Sequence, residues 1–354
     1  MSAVWYVYPM WQRVSFTLVA QQHLAVLKKR LRVEEVDELA FPHIFPHSRP
    51  VVVVHPYFYC MIRASRFISR KLHYYGALIG VDVADSDHIS NLAVSMTHYA
   101  YCMVVPSSFA KKVYERSGVT VPIHVVPHGL PHSWYEQPNT AGNYFKDLLK
   151  LKHEKKLKLI LFFLWHSPYR KGWDLVTEWY KRLKSERKDV VLVLKTHTAN
   201  GPEAQEARRL GCIHVYGWLT EAQKMELYDL ADLYPLFSRG GGFEMNGLEA
   251  LARLVPTLAA RGGSWEDYMP DWLLVDSKPC PRVLGDNPIH DGKGVEIDIE
   301  KAVDKAHTIL DNLDDHKAKL AEWREKRLKH TFTWENAGNT LYEIIRTALE
   351  HARR

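Results

Sequence analysis

The stretch SRGGGFEMNGLEALARLVP, Ser238 to Pro256, runs from three consecutive glycines through two glutamates into an Ala- and Leu-rich helical pattern. A glycine-rich turn opening a helix presents backbone N–H groups to an anion, and it is equally a way to reverse the chain. Gly240 and Gly242 satisfy only the first half of a G-x-G-x-x-G fingerprint, because Met245 stands where its last glycine belongs. No GxxxxGK[ST], HExxH, GxSxG or CxxC occurs in the chain, which disfavours phosphate-loop kinases, classical dehydrogenases, metalloproteases and α/β-hydrolases.

Outward from this stretch, short apolar runs alternate with amphipathic ones. VWYVYP, VVVVHPYFY (Val51 to Tyr59), GALIGVDV (Gly76 to Val83), YCMVVPS (Tyr101 to Ser107) and IHVVPHG (Ile123 to Gly129) read as buried strands. After a polar, helix-prone connection the alternation restarts with KLILFFLWHS, DVVLVLKTH, CIHVYGWL, LADLYPLF and VPTLAA. Strand–helix alternation implies parallel sheets covered by helices on both faces, an α/β architecture of two Rossmann-like domains facing across a cleft. The expected division is 1–145 plus about 335–354 for the first domain and 146–334 for the second. The C-terminal third becomes helical, ending in TWENAGNTLYEIIRTALEHARR.

A chain of 354 residues with 46% hydrophobic content can bury a large core and fits about two domains. The net charge of +6 is mild, and no nucleic-acid partner is expected from it. Residues 1–150 hold 15 Lys and Arg against 10 Asp and Glu, so most of the excess is in the first half. Arg63, Arg66 and Arg70 share one helix face there, which suits either plain solvation or peripheral contact with an anionic membrane or a phosphorylated acceptor. The four cysteines, Cys60, Cys102, Cys212 and Cys280, stand far apart and read as ordinary buried or part-buried thiols. With no long apolar run and no signal-peptide pattern, a cytoplasmic location is expected.

Polar residues at strand ends carry the chemistry. LFFLWHSPYRKGWDL places His166, Arg170 and Lys171 just after a strand and before a helix. Two cations at a helix N-terminus oppose the macrodipole, and a bound diphosphate compensates both; the alternative is a solvated pair. Lys195 and His197 end the next strand, where Lys195 either reaches the same cleft or snorkels. Glu244 and Glu249 suit the start of the following helix and also hydrogen bonding to sugar or ribose hydroxyls. In the first half, His55 and Tyr57 follow one strand on the acceptor side. Asp82, Asp85, Asp87 and His88 follow another, as site residues or as loop caps.

The order and spacing of VVPSSFAKKVYERSGVTVPIHVVPHGL, HSPYRKGWDLV and VYGWLTEAQKMELYDLADLYPLFSRGGGFEMNGLEALARLVPTLAARGGSWEDYM resemble the retaining, nucleotide-sugar-dependent GT-B glycosyltransferases of family 4, over residues 100 to 270. The resemblance implies transfer of a hexose from a UDP- or GDP-sugar to a glycan, lipid or protein hydroxyl, with retention. No metal and no cofactor beyond the nucleotide sugar are expected; Asp85 and Asp87 have the spacing of a metal-binding pair, but in the wrong domain.

Residue by residue, the resemblance makes Lys171 the neutraliser of the leaving diphosphate. His166 stands where the family has an arginine, and Arg170 next door supplies that charge. Gly217 to Leu219, with Trp218, match the turn that grips the base. Gly241, Gly242, Phe243 and Asn246 belong to the donor turn, and Glu249 matches the second acid of the Glu-x7-Glu motif, on the ribose. The first acid of that motif falls on Gly241. Glu244 is the nearby carboxylate able to replace it, and Asp85 completes the expected catalytic set. The loss of that acid also motivates a second expectation, a non-catalytic GT-B-like protein that binds a nucleotide or glycan. A GT-B epimerase or phosphorylase is a third, without a recognisable cofactor lysine or long insertion to support it.

Overall fold

The computed structural model describes residues 4–46, 48–139 and 141–353, and divides into two units. The first comprises Met1–Leu130, Leu284–Gly292 and Thr331–Arg354; the second comprises Pro131–Val283 and Lys293–His330. The division at Leu130 and Pro131 lies earlier than the expected 145, and the segment 284–292 joins the first unit, which sequence patterning did not anticipate.

The first unit is built on β1 (Val4–Tyr8), β2 (Val33–Asp37), β3 (Val51–Val54), β4 (Ala77–Val81), β5 (Cys102–Val105) and β6 (Ile123–Val125). They form one sheet in the order β2-β1-β3-β4-β5-β6, all parallel. Continuous burial along β1, β3, β4 and β5 explains why these strands read as unbroken apolar runs. Helices between them start where a side chain can satisfy an orphan N–H: Ser90 accepts from Ala93 N at 3.2 Å and Ser107 from Ala110 N at 3.1 Å.

The terminal helix Trp334–Ala352 lays Ala337, Leu341, Ile344, Ile345 and Ala348 onto the core beneath β1 and β3. Their spacing of three and four residues is the stripe a one-sided helix requires. The segment 284–292 earns its place in this unit by inserting Ile289 into the other core layer, with Ser90 donating to Pro288 O at 2.6 Å.

The second unit holds β7 (Lys158–Leu164), β8 (Val190–Thr196) and β9 (Ile213–Tyr216) in one parallel sheet, and β10 (Tyr234–Leu236), β11 (Thr257–Ala260) and β12 (Leu274–Val275) in another. A bridge between Ile160 and Leu233 joins them through β7 and β10. The combined order is therefore β9-β8-β7-β10-β11-β12, in which the direction of winding reverses between β7 and β10. Ligands of doubly wound sheets collect at such a reversal, beyond the carboxyl ends of the strands. A short antiparallel pair, β13 (Ser277–Cys280) and β14 (Gly294–Ile297), flanks this sheet.

Candidate functional site

The loops leaving β7 and β10 meet at that reversal. After β7 the chain turns through Ser167 at φ +55° into a single helical turn, Pro168–Lys171, and leaves it through Gly172 at φ +74°. Gly172 lies so close to the Phe237 carbonyl that a Cβ would overlap it, so only glycine permits this approach of the two loops. The turn delivers Arg170 and Lys171 to the second loop. Arg170 Nη1 donates to Gly240 O at 3.1 Å and to Glu244 Oε1 at 3.3 Å, while Lys171 Nζ donates to Glu244 Oε2 at 2.6 Å.

Glu244 is buried and left-handed at φ +63°, an uncommon state for glutamate. Its backbone carbonyl accepts from the buried Tyr268 hydroxyl at 2.7 Å, and Ser264 Oγ donates to Gly241 O at 2.6 Å. A Cβ built on Gly241 would overlap the Glu244 carboxylate. The space where a side chain on residue 241 would begin is thus filled by the acid three positions later. Two cations thus share one buried carboxylate.

Glu249 forms a second buried knot on the helix Met245–Ala252. Lys224 pairs with it, the Tyr228 hydroxyl donates to Oε2 at 2.9 Å, and Asn246 Nδ2 reaches Tyr228 Oη at 3.1 Å and Glu249 at 3.4 Å. Burial, and then the Glu249 charge, hold the Tyr228 phenol well above its ordinary pKa, so it remains a donor.

Behind the first knot, buried Arg239 binds both oxygens of Asp174 at 2.8 and 2.7 Å, donates to Glu296 at 2.8 Å and lies 3.8 Å over the Tyr169 ring. It locks the helical turn carrying Arg170 and Lys171 to the loop carrying Glu244, a supporting part that sequence reasoning passed over. Its signal was in plain view, an arginine directly before the three glycines. Lys224 and Tyr228 had no comparable signal, because only folding sets them against Glu249.

Beyond the ends of β7 to β9, Trp165 is 43% and Trp218 53% exposed. Their rings meet edge to face at 5.5 Å, and His197 lies 4.2 Å from Trp165. Lys195 lies beside them but is buried, donating to Thr196 O at 3.0 Å and to Gly217 O. Its ammonium therefore fixes the turn of Gly217, Trp218 and half-buried Leu219 rather than standing open. Burial, and next Lys224, lower its pKa to about 8. His166 is exposed, with Nδ1 2.8 Å from Ser167 Oγ, and Phe243 is buried against Tyr268 at 5.3 Å.

The expected residues of the first half lie in the first unit. His55 follows β3 at the reversal of that sheet, between β1 and β3, but is buried: Tyr6 Oη is 3.3 Å from His55 Nδ1 and 2.8 Å from His23 Nδ1. Tyr57, expected beside an acceptor, is instead a core residue, wholly buried with its hydroxyl donating to Met96 O at 2.7 Å. Asp82 acts as a helix cap, accepting from Phe58 N at 2.7 Å and Val83 N at 2.8 Å. Asp85 is half-buried, its backbone N–H directed at His290 Nδ1 at 3.4 Å.

No family model matches the chain. It is 36% identical over 329 residues to "Uncharacterized protein 356" of Sulfolobus islandicus rod-shaped virus 1, covering 90% of this chain and 91% of that protein. It is 26% identical over 275 residues to "Putative glycosyltransferase 45" of Sulfolobus islandicus filamentous virus, covering 74% and 72% of the two chains. Among solved structures it is similar to Anabaena HepE in complex with UDP-glucose, at TM-score 0.70 and 13% identity over 98% of this chain and 100% of that one. It is likewise similar to sucrose-phosphate synthase of Thermosynechococcus elongatus, at TM-score 0.73 and 12% identity over 99% and 100%. The fold is GT-B, with parallel-sheet α/β units and a terminal helix returned to the first.

Proposed function

The chain belongs to one family with protein 356 of Sulfolobus islandicus rod-shaped virus 1, and we propose that it is a glycosyltransferase using a nucleotide-diphosphate sugar. The observation that carries this reading is the Arg170–Lys171–Glu244 cluster at the sheet reversal, where Glu244 fills the space beside Gly241. In this reading a UDP- or GDP-hexose lays its diphosphate on Arg170 and Lys171. Glu244 orients the hexose in place of the acid missing at 241, and Glu249 with Asn246 receives the ribose hydroxyls. The turn at Gly217 to Leu219, with Trp165 and Trp218, receives the base.

Transfer then breaks the bond between the anomeric carbon and the diphosphate oxygen. A new bond forms from the acceptor hydroxyl oxygen on the same face, and the leaving diphosphate takes the acceptor's proton. Retention follows from attack on that face, and the protein's share is positioning and stabilising the departing charge, which two cations supply without a metal. The acceptor is a hydroxyl of a glycan, lipid or protein, and the setting is cytoplasmic.

The test is hydrolysis and transfer with UDP- and GDP-sugars, beside thermal shifts for each nucleotide. A ligand far above its Kd raises stability by about 2 to 4 kcal/mol. Lys171→Ala should lower turnover about 100-fold or more, as expected for loss of a charge-stabilising group, and Glu249→Ala should weaken nucleotide binding. If both variants bind and turn over these donors like the parent, the site assignment fails. The replacement of the expected acid by Gly241 favours a second reading, a binding protein without turnover, which a thermal shift without any hydrolysis or transfer would select.

A further inference from the structure

We infer that the first unit carries a docking surface for an anionic lipid bilayer, formed by the helix Tyr57–Ser69 and the two short segments packed around its end. This inference is independent of the transfer chemistry. On the solvent face of the helix, Ile62 is 36% and Phe67 49% exposed, interleaved with exposed Arg66 and Arg70. Phe45, at 58%, and Tyr74, at 41%, extend this face from the neighbouring segments.

The pieces form one surface. The Phe45 and Tyr74 rings meet edge to face at 6.0 Å, and His43 lies 6.1 Å from Phe67. Lys71 staples them together: its ammonium is buried, donates to Pro42 O at 2.7 Å and Ile44 O at 3.3 Å, and lies 3.9 Å over the Phe45 ring. A buried lysine spent on loop carbonyls ties the Pro42–Phe45 segment to the end of the helix.

Charge selects the occupant. No Asp or Glu stands between Glu38 and Asp82, a stretch that contains the whole surface. Arg63 is paired with Glu38 at 2.8 Å, whereas Arg66 and Arg70 have no carboxylate partner among the described residues. Aromatic and aliphatic side chains beside uncompensated arginines match the boundary between acidic headgroups and acyl chains, where both halves of the surface are satisfied at once. No helix among the described residues is long and apolar enough to cross a membrane, and the contact proposed here is peripheral.

The experiment is flotation of the full chain with vesicles of phosphatidylcholine alone and of phosphatidylcholine with 30 mol% phosphatidylglycerol, about a third acidic lipid. Binding is expected only to the acidic vesicles. Arg66→Gln with Arg70→Gln should weaken it about thirtyfold, from about 1 kcal/mol for each charge. Phe45→Ser with Phe67→Ser should weaken it by at least as much at low salt, while donor hydrolysis of both variants, and the thermal midpoint of the arginine variant, stay at the parent's values. Absence of binding to acidic vesicles, or binding indifferent to both variants, overturns the inference. So does loss on arginine substitution alone, which would indicate a polyanion rather than a bilayer. A change from dimer to monomer in the Phe45→Ser, Phe67→Ser variant would assign the surface to a second copy of the chain and overturn it too.

Discussion

At the strand ends of the second unit Arg170, Lys171 and Glu244 form a charged cluster, whereas in the first unit Tyr6 of β1, His23 of the helix Ser15–Leu27, and His55 and His128, which follow β3 and β6, form a neutral one. Both sit on parallel sheets, and the chain solves the same problem, polar groups in a buried place, in two ways. Charges are kept in partnered sets, as also in Lys224–Glu249 and Asp229–Arg253. The histidines are kept uncharged: burial lowers His23 to about 4 and His128 to about 3, and burial followed by the other two histidines lowers His55. Each arrangement also fails differently, which makes the contrast testable.

The most damaging single change should be loss of a partner in a charged set. Arg253 and Asp229 are buried and bonded at 2.6 and 2.7 Å, and Arg253 also donates to the carbonyls of Trp134, Glu136 and Gln137. Arg253→Ala strands a buried carboxylate and should cost about 4 kcal/mol in urea unfolding. A loss below about 1 kcal/mol would remove the claim that this unit rests on partnered charges.

Acid should expose the weakness of the neutral cluster. Below about pH 6.5 the unfolded chain protonates its histidines while the folded one does not, so stability present above that pH is lost as the pH falls toward the folded values. Asp82 works in the opposite sense. Burial, against its backbone N–H bonds from Phe58 and Val83, raises it to about 7, so the folded chain binds its proton first. Three histidines against one aspartate leave a net loss of about 3 kcal/mol at pH 5 relative to pH 8. A urea midpoint that is flat from pH 7 to 5, or unchanged in slope by His23→Phe, would contradict the neutral cluster.

What was legible beforehand follows the same divide. Unbroken runs such as Val51 to Val54 and the 337–341–344–348 spacing declared strands and a one-sided helix, because burial on both faces or one face leaves a local pattern. Arg170, Lys171 and Glu244 were readable because they flank turns at strand ends. The histidine cluster was not, since His23 stands on the helix Ser15–Leu27 and His55 and His128 follow β3 and β6, strands with two others between them, and only folding gives the three a common environment. Tyr57 was misread for a related reason: the same aromatic residue after a strand lines an opening or fills a core, and its distant neighbour Met96 decides which.

Within the charged cluster, Glu244→Gln separates orientation from attraction. The amide keeps the volume beside Gly241 but gives up the charge shared with Arg170 and Lys171. Turnover should fall about 100-fold, while UDP binding should hold or tighten, because the diphosphate meets two less compensated cations. Steady-state kinetics beside calorimetric UDP titration reads both quantities. Unchanged turnover would dismiss Glu244 as the replacement acid.

The smallest effect should come from the aromatic edge. Trp165 and Trp218 are exposed and in contact, and Lys195 holds the turn before Trp218 through the Gly217 carbonyl. Stacking of one base on one aromatic ring contributes about 1 to 3 kcal/mol, and the exposed edge-to-face geometry argues for the lower end. Trp218→Ala should therefore weaken UDP and UDP-sugar about tenfold and equally, raising KM with kcat unchanged, since the base makes the same contacts in ground and transition states. A fall in kcat instead would move Trp218 from the base to the reacting end of the donor and reverse the orientation proposed for the nucleotide sugar along the strand ends.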